Sequence, residues 1–259
     1  MSAAGSVSIL NVTQQFGGLV ALEGVSIEIP AGRIHGVIGP NGAGKTTLLN
    51  VLSGLQRPTS GTISIGGQDV TRWPGHKMVA KAGLVRTFQT VRLFESMSVR
   101  ENVIVAGQRV TSVQKAKDET ERILDRLGLT SVADKPATSL AYGLQRRVEL
   151  ARVMVANPKV VLLDEPAAGL NPQERKALAE FLRALRNDGV TIVLVEHHMD
   201  LVHAVCESCT VLNFGKVIAT GTPDEVTQDS AVLEAYLGGR HHRATDVAAP
   251  LPGDGEDPE

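Results

Sequence analysis

The chain has 259 residues, 42% hydrophobic and 21% charged, enough for one sizeable α/β domain with a buried core and inconsistent with a wholly disordered polymer. A net charge of -2 and an aromatic content of 3% exclude bulk attraction to nucleic acid and a surface built to stack single-stranded bases. No apolar run approaches the ~18 residues of a membrane-spanning helix, the first seven residues do not read as a signal peptide, and two cysteines cannot form a disulfide framework, so the chain reads as cytosolic.

Val25, Ile27 and Ile29 recur at period two, as do Ile63 and Ile65, and each run is bounded by Gly or Pro, the pattern of half-buried strands. Ile34-His35-Gly36-Val37-Ile38 predicts a more buried strand that enters a glycine-rich turn, followed by a helix from Thr46 to Leu55. From about Gln89 to Gln145 strand signals are sparse, and a helical pattern at residues 121–127 stops at Gly128. Val160-Val161-Leu162-Leu163 and residues 190–195 are continuous apolar runs that suit central strands covered on both faces. Between them Leu178, Phe181, Leu182 and Leu185 line one face of a helix opened by Pro172. The order predicts an α/β fold. A strand-rich N-terminal part and a parallel-sheet core, assembled from both ends of the chain, flank a helical subdomain inserted over roughly residues 90–150. Residues 1–239 form one domain. Residues 240–259 hold five acidic and two basic residues with almost no apolar periodicity and read as a disordered acidic tail.

Gly39-Pro40-Asn41-Gly42-Ala43-Gly44-Lys45-Thr46 fits G-x-x-x-x-G-K-[ST] between a buried strand and a helix, the setting in which that pattern binds phosphate. Glycines let the backbone wrap around the anion, and the helix N-terminus points unpaired N–H groups at it. Residues 39–46 and the adjoining Thr47 are the expected nucleotide-binding set. Lys45 would reach the β- and γ-phosphates, and the Thr46 hydroxyl would ligate Mg²⁺. Four apolar residues place Asp164 and Glu165 at the C-terminal edge of a central strand, where open α/β sheets bind ligands. There Asp164 would hold Mg²⁺ through water and Glu165 would polarise the water that attacks the γ-phosphate, making the chain an NTPase.

Leu140-Ala141-Tyr142-Gly143-Leu144-Gln145-Arg146-Arg147, upstream of the Val160 strand, resembles the signature motif of ATP-binding cassette (ABC) ATPases. Gln89 occupies the family's Q-loop position and His197 that of its switch histidine, after the strand ending at Val195. Gly169-Leu170-Asn171-Pro172 is similar to the loop after the catalytic glutamate, and Phe16 to the aromatic that stacks on adenine. Residues 84–94, Ala167-Ala168-Gly169-Leu170-Asn171-Pro172, Glu196-His197 and the ending Ala235-Tyr236-Leu237-Gly238 resemble ATP-binding subunits of bacterial branched-chain amino-acid importers.

The resemblance implies an ABC ATPase fold with an antiparallel N-terminal β portion. It implies ATP and Mg²⁺ as cofactors and a head-to-tail dimer with a second ABC ATPase, identical or related. Each ATP lies between one chain's residues 39–46 and the other's Ala141, Gly143 and Gln145. Gln89 senses Mg²⁺ and the attacking water, and His197 bonds the γ-phosphate. Two transmembrane permease subunits are the implied partners, with a solute-binding protein served indirectly, at the cytoplasmic face of the bacterial inner membrane and with no nucleic acid. Residues 89–101, including Val91, Leu93 and Phe94, are expected either to line the groove for a permease helix or to be ordinary subdomain core. The same motor for another cargo (urea, short amides, lipid or glycan) and a soluble, non-transport ABC ATPase stay open. Ala141 and Leu144 depart from the usual Ser and Gln of the signature, which removes a hydroxyl donor and predicts slower or asymmetric turnover.

Weaker signals have plainer readings. Cys206 and Cys209 have C-x-x-C spacing beside His203 but no second pair, and are expected to be buried hydrophobes. His198 is expected on the face opposite His197, Trp73 and Pro74 as local packing, and His241 and His242 as too few for a metal tract. Arg146, Arg147 and Arg152 are expected as interface or surface charges.

Overall fold

The computed structural model describes residues 5–87 and 92–241, with side chains through Tyr236. β1 (Val7–Phe16), β2 (Leu19–Ile29), β3 (Ile34–Ile38), α1 (Lys45–Leu52), β4 (Ser60–Ile65) and β5 (Gln68–Asp69) make the N-terminal third. A short α2 (Gly75–Lys77), continued by a π turn, and β6 (Leu84–Arg86) lead to the helices α3 (Val99–Gly107), α4 (Val113–Arg126) and α5 (Tyr142–Met154). β7 (Val160–Asp164), α6 (Pro172–Asn187), β8 (Thr191–Val195), α7 (Met199–Val205), β9 (Ser208–Asn213), β10 (Lys216–Gly221), α8 (Pro223–Gln228) and α9 (Ser230–His241) complete the order.

Two sheets result. The first, in the order β2-β1-β4-β5, is antiparallel throughout. In β1 the buried residues step from Ile9 to Val12, and a register shift there, with Asn11 at φ 49°, keeps the apolar face inward. The second sheet, β10-β9-β3-β8-β7-β6, is parallel from β9 to β6, and β10 adds an antiparallel edge.

The continuous apolar strands are explained by two cores. Val161, Leu163, Ile192 and Leu194 face the core shared with α3 to α6, whereas Val160, Leu162, Val193 and Val195 face the core shared with α1 and the antiparallel sheet. Successive strand residues point to opposite faces, so a strand buried on both sides has no polar alternation to show.

The helix after the glycine loop is Lys45–Leu52 rather than Thr46–Leu55, closed at Ser53, whose N–H bonds Leu49 O. α6 begins at Pro172 and is capped reciprocally by Asn171 and Glu174, and buries Leu178, Leu182 and Leu185. The expected insertion contains α3, α4 and most of α5. Arg240 and His241 continue α9, and residues 242–259 of the expected tail, with His242, lie outside the described residues.

Candidate nucleotide site

β3 delivers the chain into the glycine loop at the C-terminal edge of the sheet. Gly39 has φ +146°, and a Cβ there would lie 2.1 Å from the Leu212 carbonyl oxygen of β9, so only glycine fits. α1 starts at Lys45, which sets its free N–H groups toward the loop. Lys45 Nζ donates to the carbonyls of Gly39 (2.6 Å) and Pro40 (2.9 Å). Burial holds the Lys45 ammonium below the ordinary lysine value, against the opposing pull of Glu165 and Asp164.

A cavity of about 620 Å³ opens over this loop, lined by residues 41–47, with Phe16, Leu19, Val20, Phe214 and Glu165 among its walls. It thus joins Phe16, Asn41, Gly42, Ala43, Gly44, Lys45, Thr46, Thr47 and Glu165 of the sequence-derived set. Gly39 and Pro40 contribute their carbonyls to Lys45 from outside the lining.

Asp164 ends β7 and is 4% exposed. Its Oδ2 accepts from Arg86 Nη2 at 2.9 Å, and Arg86 Nη1 also donates to Asn50 Oδ1 of α1 at 2.6 Å. Glu165 leaves the strand at φ +47°, a conformation that non-glycine residues rarely take and that marks stored strain. Its N–H donates to Val195 O at 2.9 Å, and its carbonyl accepts from Arg146 Nη2 at 3.2 Å. Arg146 is therefore no surface charge: it is 3% exposed and pairs with Glu149 at 2.6 Å. Arg152 stays near the surface reading only in part, since it donates to Arg92 O and lies 4.8 Å over the Phe94 ring.

β8 ends at Val195, and the next three residues are Glu196, His197 and His198. His197 Nδ1 lies 3.9 Å from Glu165 Oε1, with its side chain about half exposed. Two atoms at that separation can both hydrogen-bond one shared oxygen at ordinary distances. His198 is not on the opposite face: its ring centroid is 4.2 Å from that of His197, and its Nδ1 bonds Glu196 Oε2 at 3.0 Å. Strand alternation stops with the strand, so the period-two expectation does not extend to position 198.

Ala141, Gly143 and Gln145 do not join the cavity over the loop. Ala141 is the N-cap of α5 without a side-chain cap bond. Glu174 approaches Gly143 so closely that a Cβ there would meet its Oε1 at 2.1 Å. Gln145 Nε2 turns back to the carbonyls of Leu140 (2.8 Å) and Thr138 (3.2 Å). Gln89 and Val91 lie outside the described residues. Cys206 and Cys209 are free and buried, as expected, and Lys77 Nζ covers the Trp73 ring at 3.9 Å.

Arg86, Arg146, Glu196 and Phe214 were absent from the sequence-derived site. Arg86 sits on a three-residue strand too short to show a period, and Phe214 in a turn with no motif. Arg86 and Arg146 are buried arginines whose partners are 78 and 19 residues away in sequence. The donor set beside the cavity, the Thr46 hydroxyl and the Asp164 carboxylate, is all oxygen, the hard-ligand chemistry that Mg²⁺ takes.

Comparison with known proteins gives a consistent result. Residues 22–168 match the ABC transporter family model, and residues 216–242 match the model described as branched-chain amino acid ATP-binding cassette transporter. The high-affinity branched-chain amino acid transport ATP-binding protein LivG of Escherichia coli K12 is 43% identical, over 90% of this chain and 97% of that protein. BraF of Pseudomonas aeruginosa, of the same description, is 40% identical over the same shares. The lipopolysaccharide export system ATP-binding protein LptB of Haemophilus influenzae is 33% identical over 88% of this chain and 95% of its own. Among solved structures, an ATP-binding cassette of an ABC transporter in its ADP conformation superimposes with a TM-score of 0.83 at 30% identity, covering 90% of this chain and 99% of that one.

Proposed function

Because this chain belongs to the ABC transporter family and is one of its ATP-hydrolysing, ATP-binding subunits, we propose that it powers the import of branched-chain or other hydrophobic amino acids. The observation that carries the cargo class is the match of residues 216–242 to the branched-chain amino acid cassette model, on a chain 40–43% identical to BraF and LivG.

In this reading Phe16 stacks on the adenine at the mouth of the cavity, and the loop amides with Lys45 hold the β- and γ-phosphates. Lys45 gives up the carbonyls of Gly39 and Pro40 to do so. Thr46 and Asp164 would hold Mg²⁺, which supplies charge neutralisation at the phosphates when bound. Glu165 accepts the proton of the attacking water, and His197 bonds the γ-phosphate oxygen that the 3.9 Å gap to Glu165 leaves room to share. Gln89 contacts the same water. A second cassette, identical or related, presents its Ala141, Gly143 and Gln145 segment to this chain's ATP. Helix α5 starts at Tyr142, so its first N–H groups can receive a partner's phosphate. ATP then favours the closed dimer and hydrolysis releases it.

No helix among the described residues is long and apolar enough to cross a membrane, so attachment to the cytoplasmic face runs through two permease subunits. An apolar cavity of about 350 Å³, lined by Val85, Phe94, Ala106 and Val110 with Arg152 at its edge, is where this reading seats a permease helix.

Affinity purification of the tagged chain from gently solubilised membranes tests the proposal. Recovery of two multi-spanning permeases with a second cassette ATPase is expected, and leucine, isoleucine or valine should stimulate ATP hydrolysis in the complex with its solute-binding protein. Recovery of soluble partners alone, with the chain absent from the membrane fraction, would overturn it.

A further inference from the structure

Glu196 follows β8 directly and is 1% exposed. Its Oε1 accepts the Ala167 N–H at 2.8 Å. Its Oε2 accepts the N–H of His197 at 3.0 Å, the N–H of His198 at 3.1 Å and Nδ1 of His198 at 3.0 Å. One carboxylate therefore ties together two loops from two strands: Ala167 stands two residues after Glu165, and His197 is the next residue after Glu196.

No lysine or arginine pairs with Glu196 among the described contacts. Backbone N–H groups and one histidine carry the compensation for a buried charge, an arrangement that costs its full desolvation when any part is lost. The carboxylate is used as a bidentate bracket with each oxygen assigned to a different loop. A glutamine in its place has one acceptor and one NH₂, so its NH₂ must face either the Ala167 N–H or the two histidine N–H groups. An aspartate is one methylene too short to keep both sides.

Glu196, His197 and His198 also lie within metal-ligand reach of one another, their ligand atoms within 4.8 Å. Oε2 already accepts three donors, which leaves that oxygen no lone pair free for a cation.

We propose that Glu196 is a positioning residue for hydrolysis: it sets the placement of His197 relative to Glu165 by holding the loop of one to the loop of the other. The proposal rests on the reading above, in which Glu165 and His197 act together on the γ-phosphate. It differs from a purely structural role in one respect. A bracket that works through His197 matters to turnover only while His197 is present.

A double-mutant cycle reads this directly. Wild type, Glu196→Gln, His197→Ala and the double variant are compared for ATP affinity, by titration with a fluorescent ATP analogue, and for kcat, by phosphate release, all in the full chain assembled with its membrane partners. Glu196→Gln is expected to lower kcat about tenfold or more with ATP affinity within about twofold of wild type, and to lower it no further in the His197→Ala background. A kcat for Glu196→Gln within about twofold of wild type, or losses that multiply in the double variant, overturns the proposal. Wild-type turnover in His197→Ala overturns both the assignment of His197 and the bracket that serves it. Should Glu196→Gln not fold, His198→Ala removes one of the four contacts from a side chain about a quarter exposed. A several-fold loss of kcat that vanishes without His197 is then expected, and an equal loss in both backgrounds refutes the bracket.

Discussion

The Arg86 guanidinium and the Asp164 carboxylate meet at 2.9 Å, each side chain about nineteen-twentieths buried. Arg86 reaches Asp164 from β6 and touches Asn50 on α1, so a single cation joins the edge strand, the central strand and the helix that follows the glycine loop. Removing one member of a buried pair leaves the other charge without compensation, at a cost of about 3 kcal/mol or more. Arg86→Met should therefore lower the denaturant midpoint strongly. Combining it with Asp164→Asn should recover part of that loss, and a double variant less stable than both singles would show that the pair is not what holds these elements together.

Glu165→Gln is expected to keep ATP affinity, because the glycine loop and Phe16 wall of the cavity remain, and to reduce phosphate release about a hundredfold or more. An ATP-bound dimer should accumulate on size-exclusion chromatography. Turnover within a few-fold of wild type would remove Glu165 as the base.

Ala141 caps α5 with no side-chain acceptor for the first turn. Ala141→Ser supplies one and should stabilise the chain by about 1 kcal/mol, a rise of about 2–4 °C in Tm. The same hydroxyl can donate to a partner's γ-phosphate, so a higher ATPase rate in the assembled dimer is expected as well. Equal rates would take the missing hydroxyl out of the account of turnover.

His35 is 1% exposed on β3, its two ring nitrogens bonded to Ser208 Oγ (2.8 Å) and Thr210 Oγ1 (2.9 Å). Burial pushes its pKa down to about 4 from 6.5. Below pH 6.5 the unfolded chain takes up a proton that the folded chain refuses, so stability falls as pH drops through the window from 6.5 to 4. Below that window the loss is complete, at about 3 kcal/mol. Urea midpoints measured from pH 7 to 4 should show this limb, and His35→Gln should flatten it. An unchanged limb in the variant would assign the acid sensitivity elsewhere.

What was legible in the sequence was local. The demand for glycine at position 39, the start of α6 at Asn171 and Pro172, and the two-faced strands at Val160 and Thr191 are set by neighbours in sequence, and each is found where the pattern places it. Contacts made across the fold left no such mark. Arg146 reads as one of several arginines on a helix, yet its guanidinium reaches the Glu165 carbonyl. Glu196 reads as the charged end of a strand, yet it binds a loop that begins 29 residues earlier. His198 was misplaced for the complementary reason: two successive amides converge on one carboxylate only after the strand has ended.

The two outer glycines of the loop differ in why they are glycine, and so in the substitutions open to each. At Gly42 the φ of +80° is the sole obstacle, with no atom within 4 Å of a new Cβ, so Asn or Asp, which tolerate left-handed backbone, are admissible letters there. At Gly39 the obstacle is another strand's carbonyl oxygen, and no side chain of any shape can pass it without parting β9 from the loop. Position 42 has a short alphabet of permitted residues; position 39 has an alphabet of one.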